Sequence, residues 1–254
     1  GIILVTGPTG SGKTTTLYTA LQTLNTPERK ILTVEDPVEY QLEGINQIQV
    51  KPQINLNFAN ALRAIVRQDP DVIMIGEMRD LETAGIAVQS ALTGHLVLST
   101  LHTNDAAGSV TRLLDMGVDD YLLTSTINGI LAQRLVRLLC AHCRQPYPAL
   151  PELVEELRLH RFSAAPTITL YKGVGCEACC GTGYRGRAAI MEFLVMSDPL
   201  RRLVLKHADA TELQAEAQKE NMDTMYEDGL RKAVAGLTTI EEVLRVTTQQ
   251  EQEA

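Results

Sequence analysis

Short β-branched apolar runs alternate with longer amphipathic segments along the first half of the chain. The apolar runs predict buried strands at 2–5, 31–34, 48–50, 72–75 and 96–99. Helical spacing of apolar residues predicts helices at 17–24, 58–66, 81–92, 106–116 and 121–138. This alternation predicts an α/β fold with a mostly parallel sheet, in which ligands bind at the carboxyl ends of the strands.

Helix-start signals dominate the last part of the sequence. Asp198-Pro199 is interpreted as an N-cap followed by proline at the first helical position, and Thr211-Glu212 as another start. Thr238 and Glu241 have the spacing of a capping box. We therefore expect a small helical lobe here, ending in a polar, frayed tail.

A glycine-rich loop follows the first predicted strand and precedes the first predicted helix. It matches the phosphate-loop pattern G-x-x-x-x-G-K-[ST] in full, and the expected ATP-binding residues are Gly7, Pro8, Thr9, Gly10, Ser11, Gly12, Lys13, Thr14 and Thr15. Backbone N–H groups and the helix N-terminus suit phosphates, Lys13 can reach the β- and γ-phosphates, and the Thr14 hydroxyl can ligate magnesium. A chance glycine turn is the alternative, but the full match in this context makes it a poor one.

Carboxylates follow two of the predicted strands. Glu35 and Asp36 end the second strand, and Glu77 follows the strand at 72–75. An ATPase needs one carboxylate for the attacking water and another for the magnesium shell. We expect Glu77 to act on magnesium and water, Glu35 to activate water and Asp36 to support them, although the sequence leaves the roles of the two glutamates exchangeable. Solvated loop charge is the alternative interpretation.

Basic residues and histidines surround these strand ends. His102, with Ser99 and Thr100, is a candidate to sense the γ-phosphate, whereas His95 precedes its strand and is expected to act only in support. Arg79 is a candidate catalytic residue. Arg63, Arg67 and Arg187 are candidates to reach a neighbouring subunit's phosphates, as arginines do in ring ATPases. For each arginine taken singly, an ordinary solvated position is the competing interpretation.

Two C-x-x-C pairs lie in the second half of the chain. Cys140, Cys143, Cys176 and Cys179 suit a structural zinc site with four thiolates. A redox site needs only one pair, and disulfides conflict with cytosolic nucleotide chemistry. Cys180 is left without a partner, and His142 is a weaker alternative ligand. The long stretch between the pairs predicts a lobe with a helix near 151–160.

Composition narrows the class of protein further. The chain has 254 residues and a net charge of −8, which argues against broad binding to nucleic acid or to an anionic membrane. It lacks tryptophan, which counts against a base-stacking surface. No apolar run approaches the roughly 18 residues of a membrane span, and no signal peptide is visible. Because Gly1 already enters the strand before the phosphate loop, we expect the chain to be part of a longer protein.

Nearly the whole chain resembles the secretion ATPases of type II secretion and type IV pilus assembly. The resemblance rests on the paired C-x-x-C motifs and on the segments GPTGSGKTTTLY at 7–18, TVEDPVEY at 33–40, RQDPDVIMIGEMRDLETA at 67–84, TGHLVLSTLHTNDA at 93–106 and TGYRGR at 182–187. AVQSALTGH at 87–95 and the LAQRLVRLLC run are more similar to the type II branch. Ala189 and Met191 depart from the family pattern.

The resemblance implies a hexameric ATPase that binds ATP, Mg²⁺ and Zn²⁺. It implies a cytoplasmic location, peripheral to the inner membrane through platform proteins, where hydrolysis drives pseudopilus assembly and protein export. The implied domains are a RecA-like P-loop core at 1–139, a tetracysteine lobe at 140–182, a helical lobe at 183–247 and a tail at 248–254. A pilus-assembly ATPase, a DNA translocase and a nucleotide-gated scaffold with negligible turnover are the alternatives, and the acidic charge and the zinc motif weaken the DNA translocase.

Overall fold

The computed structural model describes residues 1–248, in which seven strands form one sheet and two form another. The strands are β1 (Ile2–Thr6), β2 (Ile31–Glu35), β3 (Asn46–Gln49), β4 (Val72–Ile75), β5 (Leu96–Leu101), β6 (Ile127–Leu139), β7 (Arg144–Pro148), β8 (Thr169–Gly173) and β9 (Tyr184–Val195). The order in the large sheet is β3-β2-β4-β5-β1-β6-β9, and β7 pairs with β8 in a separate hairpin. The pairings among β1 to β6 are parallel, which confirms the predicted α/β class.

Ten α-helices are found within residues 1–248. They are α1 (Lys13–Leu24), α2 (Phe58–Ile65), α3 (Leu81–Leu92), α4 (Ala106–Asp115), α5 (Asp120–Thr126), α6 (Pro151–Glu156), α7 (Asp198–Val204), α8 (Ala210–Lys219), α9 (Met225–Val234) and α10 (Ile240–Thr248). The longest, α1 and α3, have 12 residues, and none in the described part of the chain is long and apolar enough to cross a bilayer.

The described residues form two compact units. Unit 1 comprises residues 1–132 and 193–222, and unit 2 comprises residues 133–192 and the described residues from 223 onward. β6 and β9 each run from one unit into the other. The domain boundaries expected from the sequence stay a prediction, although the segment expected to open a helical lobe at 183 forms β9. The tail was expected at 248–254. Its first residue, Thr248, is the last residue of α10, and 249–254 lie outside the described residues.

The core of unit 1 explains why α1 forms where it does. Leu17, Tyr18 and Leu21 occupy one face of α1 and are buried against the sheet, where Val5 of β1 belongs to the same apolar cluster. Their spacing of one, three and four residues gives a continuous helical face. This packing fixes the helix directly behind the glycine-rich loop, so the loop is held between a buried strand and a buried helix.

The prediction of a helix at 121–138 is wrong after Thr126. α5 ends at Thr126, and residues 127–139 form β6, the longest strand, which pairs in parallel with β1. The strand is buried along most of its length, so partners on the sheet override the helical spacing of its leucines. At Gly129 a Cβ would lie 2.7 Å from the Phe193 ring, so this position needs glycine for close packing.

The helix starts near the C-terminus are also corrected. Ser197, not Asp198, caps α7, because its hydroxyl accepts from Leu200 N and Pro199 lies within the first turn. Asp209 caps α8, two residues before the predicted start at Thr211. At α10 the Thr239 hydroxyl accepts from Glu242 N, whereas the Thr238 hydroxyl donates to Arg137 O. In each case a neighbouring hydroxyl or carboxylate reaches the free helix N–H groups.

Candidate nucleotide site and cysteine cluster

Four adjacent strands present the predicted nucleotide-binding residues at one edge of the sheet. The register pairs Val34 with Ile75, Ile75 with Ser99 and Val5 with Thr100, so these strands end side by side. Following the sheet order, the residues at or just after the strand ends are Glu35, Glu77, His102 and Gly7. The topology therefore gathers residues that are far apart in sequence, as expected for a parallel sheet.

The glycine-rich loop has the backbone shape that a phosphate requires. Gly10 and Gly12 have φ angles of 79° and 90°, in the left-handed region that favours glycine, and a Cβ on Gly10 would meet nothing within 4 Å. Among the described residues, no side chain caps the N-terminus of α1, and its first turn contains no acid. The neighbouring helices α2 and α3 are capped by Asn57 and Asp80. The N-terminus of α1 is thus open to an anion.

Lys13 is folded against the loop that contains it. Its Nζ donates to Gly7 O at 2.6 Å and to Pro8 O at 3.1 Å, and the residue is 9% exposed. Burial lowers the pKa of Lys13, while the negative charge of Glu77 opposes this shift. Lys13 thus interacts electrostatically with the carboxylate that follows β4. Thr14 and Thr15, beside Lys13, are exposed.

Glu77 is the centre of a charged cluster. Its Oε1 lies 3.2 Å from His102 Nε2, and its Oε2 accepts from Arg79 Nε at 2.7 Å. The Glu77 side chain is 19% exposed, whereas those of Arg79 and His102 are 61% and 45% exposed. The Glu77 carboxylate thus contacts His102 and Arg79 and influences the charge of Lys13, and the catalytic roles expected of these four residues stay predictions.

Hydrogen bonds from β5 fix the backbone on both sides of Glu77. The Thr100 hydroxyl donates to Gly76 O at 2.7 Å, and Met78 N donates to Thr100 O at 3.1 Å. The Ser99 hydroxyl donates to Ile75 O at 2.9 Å. Ser99 and Thr100, which the sequence suggested as phosphate sensors, are therefore engaged in holding the end of β4.

Glu35 lies next to this segment but in a buried setting. A Cβ at Gly76 would come within 3.3 Å of the Glu35 Cα, so glycine allows the ends of β2 and β4 to approach closely. Glu35 is 3% exposed, and its carboxylate accepts hydrogen bonds from Tyr18, Thr33 and Gln47. The sequence interpretation did not include these three donors. Only Thr33 gave a signal, since a polar residue two positions before Glu35 shares its face of the strand.

The other predicted residues are exposed or contact different partners. Asp36 and Arg67 are exposed, and Arg187 is exposed on the part of β9 that belongs to unit 2. Arg63 pairs with Glu82 at 2.5 Å. His95 Nδ1 lies 2.8 Å from Ser90 O and 3.0 Å from the Thr93 hydroxyl, so its ring contacts the end of α3. The roles assigned to these residues stay predictions.

A hydroxyl pair that the sequence interpretation missed connects β1 with the segment after β5. The Thr6 and Thr103 hydroxyls are 2.6 Å apart, and Thr103 N donates to Thr6 Oγ1 at 3.0 Å. The Thr103 hydroxyl also lies 2.6 Å from that of Ser109 on α4. Thr6 directly precedes Gly7, and Thr103 directly follows His102, so the pair ties the glycine-rich loop to the histidine.

In unit 2, the four predicted metal ligands form one cluster. The Sγ atoms of Cys140, Cys143, Cys176 and Cys179 all lie within 4.8 Å of one another. The Cys140–Cys176 and Cys143–Cys179 separations are both 3.8 Å. Four sulfurs placed about 2.3 Å from a tetrahedral zinc are about 3.8 Å apart, so the cluster is compatible with Zn²⁺.

The hairpin of β7 and β8 brings the two cysteine pairs together. Arg144 pairs with Gly173, which places the residues just before β7 opposite those just after β8. Cys176 N and Gly183 N each lie 3.2 Å from Cys179 Sγ. Burial acts to raise the pKa of the Cys179 thiol, but these backbone hydrogen bonds outweigh burial and lower the pKa to about 6. Cys179 therefore favours the thiolate, the form that ligates metal, whereas burial raises the pKa of the Cys143 thiol to about 11.

The stretch between the two cysteine pairs contains the helix that we predicted there. α6 spans Pro151–Glu156, and a 3₁₀ turn follows at Leu159–Arg161. Val154 and Leu159 belong to the apolar core of unit 2 with Val243 of α10. The β7–β8 hairpin was not foreseen, because Pro146 and Pro148 argue against a strand in the sequence.

The chain matches the family described as "Type II/IV secretion system protein" over residues 1–245. It is 69% identical over 247 residues to Type II secretion system protein E of Xanthomonas campestris, covering 97% of this chain and 43% of that protein. It is 52% identical over 247 residues to Type IV pilus assembly ATPase PilB of Thermus thermophilus, covering 97% of this chain and 28% of that protein. The chain thus spans less than half the length of either protein.

Two solved structures have a fold similar to that of this chain. The pilus retraction motor PilT with bound ADP superimposes with a TM-score of 0.72 at 31% identity, covering 99% of this chain and 62% of that chain. The ATPase DotB of Legionella pneumophila gives a TM-score of 0.67 at 26% identity, covering 98% and 60%. The fold is therefore that of a RecA-like P-loop NTPase, and the chain belongs to the Type II/IV secretion system protein family.

Proposed function

We propose that this chain is the ATP-hydrolysing part of a type II secretion motor. The observation that carries the proposal is the Glu77–His102 pair at the edge of the sheet where the glycine-rich loop, with Lys13 held against it, leads into the uncapped N-terminus of α1. A glycine-rich loop, a buried lysine and a carboxylate with a basic partner are the parts that phosphoryl transfer to water needs. The relative named Type II secretion system ATPase E of Vibrio cholerae, 54% identical over 248 residues, supports the same assignment.

In the proposed reaction, the chain positions a nucleoside triphosphate and a water molecule. The backbone N–H groups of the loop and Lys13 compensate the charge on the phosphates, and Lys13 exchanges its contacts with Gly7 O and Pro8 O for phosphate oxygens. The water oxygen forms a bond to the γ-phosphorus as the bond to the bridging oxygen breaks. ADP leaves with that electron pair, and the water proton passes to a carboxylate, Glu35 or Glu77.

Mg²⁺, when bound, would neutralise charge on the β- and γ-phosphates. The Thr14 hydroxyl and the Glu77 carboxylate are the oxygen ligands available at this edge of the sheet, and oxygen is the ligand that Mg²⁺ prefers. The pairing of Glu77 with Arg79 does not prevent that role, because an ionised carboxylate has about four lone-pair positions. Because Arg79 is 61% exposed, their pairing contributes only about 0–1 kcal/mol and is easily given up.

We also propose that the motor works as a hexamer on the cytoplasmic face of the inner membrane, in contact with platform proteins, and that zinc stabilises unit 2. Type IV pilus assembly is the second candidate, favoured by the 52% identity to the PilB ATPase. A scaffold that binds nucleotide without turnover is the third. Both Glu35 and Glu77 are present at the strand ends, which favours turnover over the scaffold.

Steady-state hydrolysis by the complete protein tests the proposal. Lys13→Ala should abolish turnover while far-UV circular dichroism stays unchanged, because it removes charge compensation at the phosphates. Lys51→Ala is the control, since Lys51 is an exposed lysine of the same unit. Normal hydrolysis by Lys13→Ala contradicts the proposed site, and nucleotide binding without turnover by the wild type favours the scaffold. Loss of export or of pili on deletion of the gene separates the two motor assignments.

A further inference from the structure

The Glu35 carboxylate is surrounded by donors that the nucleotide site does not otherwise use. The Tyr18 hydroxyl donates to Glu35 Oε2. The Thr33 hydroxyl donates to Oε1 at 2.5 Å, and Gln47 Nε2 donates to the same oxygen at 3.0 Å. Tyr18 is fully buried, and Glu35 is 3% exposed. Burial, followed by the hydrogen bond to Glu35, raises the pKa of Tyr18, so its hydroxyl stays a donor at neutral pH.

These three donors leave the carboxylate with one open direction. An ionised carboxylate has about four lone-pair positions, two on each oxygen. Thr33 and Gln47 fill both positions on Oε1, whereas Tyr18 fills one of the two on Oε2. A further donor, such as a water O–H group, therefore has a single place to bind. An oriented acceptor of this kind suits a group that aligns a nucleophile.

Tyr18 also connects Glu35 to the phosphate loop. It lies on α1, four residues after Thr14 and five after Lys13, so it shares a helix face with Thr14 at the phosphate-binding end. Its ring packs edge-on against Tyr40, with centroids 4.7 Å apart. Its hydroxyl accepts from Glu39 N at 3.3 Å. The Tyr18 side chain thus holds the Glu35 carboxylate in a fixed direction relative to α1.

Gln47 completes the support from the side of β3. Its Oε1 accepts from Leu42 N at 2.7 Å, and its Nε2 also lies 3.2 Å from Tyr40 O and 3.3 Å from the Tyr18 hydroxyl. Because both ends of the amide are engaged, the side chain has little freedom to rotate. The oxygen that Gln47 contacts on Glu35 is therefore held in a fixed direction.

We propose that Tyr18, supported by Thr33 and Gln47, is a positioning residue that orients the Glu35 carboxylate toward the attacking water. This inference rests on the proposed hydrolysis of ATP. Tyr18 acts through Glu35 and does not contact the nucleotide. Removing its hydroxyl leaves a buried carboxylate with one donor fewer and more freedom to turn, so the chemical step slows while nucleotide binding at the loop continues.

The test compares Tyr18→Phe with Tyr40→Phe in the complete protein. Both substitutions keep the packed rings, but only the first removes a donor from Glu35. We expect Tyr18→Phe to lower kcat by about tenfold or more, since misplacing a reacting group by about 1 Å costs about 10²-fold. KM and the affinity for ADP should stay within about twofold of the wild-type values, and Tyr40→Phe should resemble the wild type throughout.

A double-variant cycle separates positioning from general weakening of the fold. In a Glu35→Gln background, Tyr18→Phe should cause no further loss of kcat, because residues that act as one unit are not additive. A further loss of similar size would show that Tyr18 acts independently of Glu35 and would overturn the inference. So would a Tyr18→Phe variant with wild-type kcat, or one in which KM alone changes.

Thr33 supplies a second variant should Tyr18→Phe fold poorly. Thr33→Val removes a donor to Oε1 at nearly constant volume, and Thr33→Ser keeps the hydroxyl. We expect Thr33→Val to lower kcat and Thr33→Ser to retain it; equal kcat for the two would count against the inference. If the wild type hydrolyses ATP and Glu35→Gln retains a lower but measurable kcat, these outcomes test the positioning role of Tyr18 separately from the proposed function. A wild type without turnover would instead contradict the proposed function.

Discussion

Glu77 and His102 form a pair whose members come from adjacent strands, with Glu77 Oε1 3.2 Å from His102 Nε2. Glu77 follows β4 and His102 follows β5, so the pair exists only when the two strand ends lie in register. Thr100, two residues before His102, fixes the Gly76 carbonyl and so holds the backbone of Glu77. The pair therefore connects the Glu77 carboxylate to the end of β5, the strand that precedes α4.

Glu77→Gln should keep ATP binding and lose turnover. The amide retains the shape of the side chain but removes the charge that the magnesium shell and the water require, and loss of a general base costs at least about 10²-fold. Steady-state hydrolysis and a binding measurement with ADP check both parts. Glu82→Gln is the control, because Glu82 pairs with Arg63 and its side chain is 57% exposed. Wild-type turnover in both Glu77→Gln and Glu35→Gln would place the base elsewhere.

The freshly reduced protein should contain about one zinc per chain, since four thiolates fill one tetrahedral site. Cys179→Ser should abolish this zinc and lower the stability of unit 2, because metal binding at such a site is also folding free energy. Elemental analysis and thermal unfolding check the two effects.

Cys180→Ser is the matched control for the zinc prediction. Cys180 adjoins the cluster in sequence but is exposed and outside the group of four sulfurs. Its substitution should leave both the zinc content and the unfolding temperature unchanged. Metal-free wild-type protein that unfolds at the same temperature as the zinc-loaded form would contradict a structural role for the ion.

Local chemical patterns predicted the first half of the fold well. The strand at 72–75 and the helix at 81–92 match the structure residue for residue, because each combines a clear apolar period with a distinct boundary. Residues 127–138 were wrongly predicted to be helical, since a leucine-rich segment has helical spacing whichever element it packs against. Pairing with β1 decides its conformation, and that information lies more than a hundred residues away along the chain.

The residues of the candidate site also differ in how well the sequence predicts them. Lys13 and Glu77 were predictable, because each lies in a motif whose chemistry depends on neighbours in sequence. Tyr18 and Gln47 were not, because their importance arises from contacts with Glu35 over 17 and 12 residues. A tyrosine on a buried helix face gives no sign in the sequence that its hydroxyl reaches a carboxylate.

If an arginine completes the site from a neighbouring subunit, mixed variants should restore activity. Arg63 and Arg67 are both exposed candidates in unit 1, but Arg63 already pairs with Glu82, so Arg67 is chosen. Chains carrying Arg67→Ala mixed with chains carrying Lys13→Ala should regain part of the turnover, because some interfaces then contain an intact loop and an intact arginine. Specific activity of the wild type should also rise with protein concentration.

The control for this experiment mixes Lys13→Ala with Glu77→Gln chains. Lys13 and Glu77 are coupled within one chain, so no mixed interface can contain both intact residues, and turnover should stay absent. Arg187→Ala replaces Arg67→Ala in a parallel mixture. If neither arginine variant is complemented by Lys13→Ala, completion of the site in trans by these residues is excluded as the mechanism.

The last prediction concerns Glu242, a carboxylate of unit 2 that is 1% exposed. Arg137 Nη2 and Arg245 Nη2 each donate to it at 2.7 Å, and Arg137 N donates at 3.0 Å. Burial acts to raise the pKa of Glu242, but the hydrogen bonds from Arg245 and Arg137 outweigh it and lower the pKa to about 2. An unfolded chain has a glutamate pKa of about 4.3. The stabilisation is therefore complete above about pH 4.3 and is lost as the pH falls toward about 2.

Glu242→Gln should accordingly lower the free energy of unfolding by about 1–3 kcal/mol at neutral pH, the cost of leaving hydrogen-bond partners without an acceptor. The difference from the wild type should shrink as the pH falls below about 4, because the wild-type carboxylate then begins to lose its advantage over the amide. Denaturant unfolding of both proteins across this pH range measures the difference directly. Glu241→Gln is the control, as Glu241 is the exposed neighbour on the same helix. A difference that stayed constant down to about pH 2 would mean that packing of the side chain, and not its charge, stabilises α10 against β6.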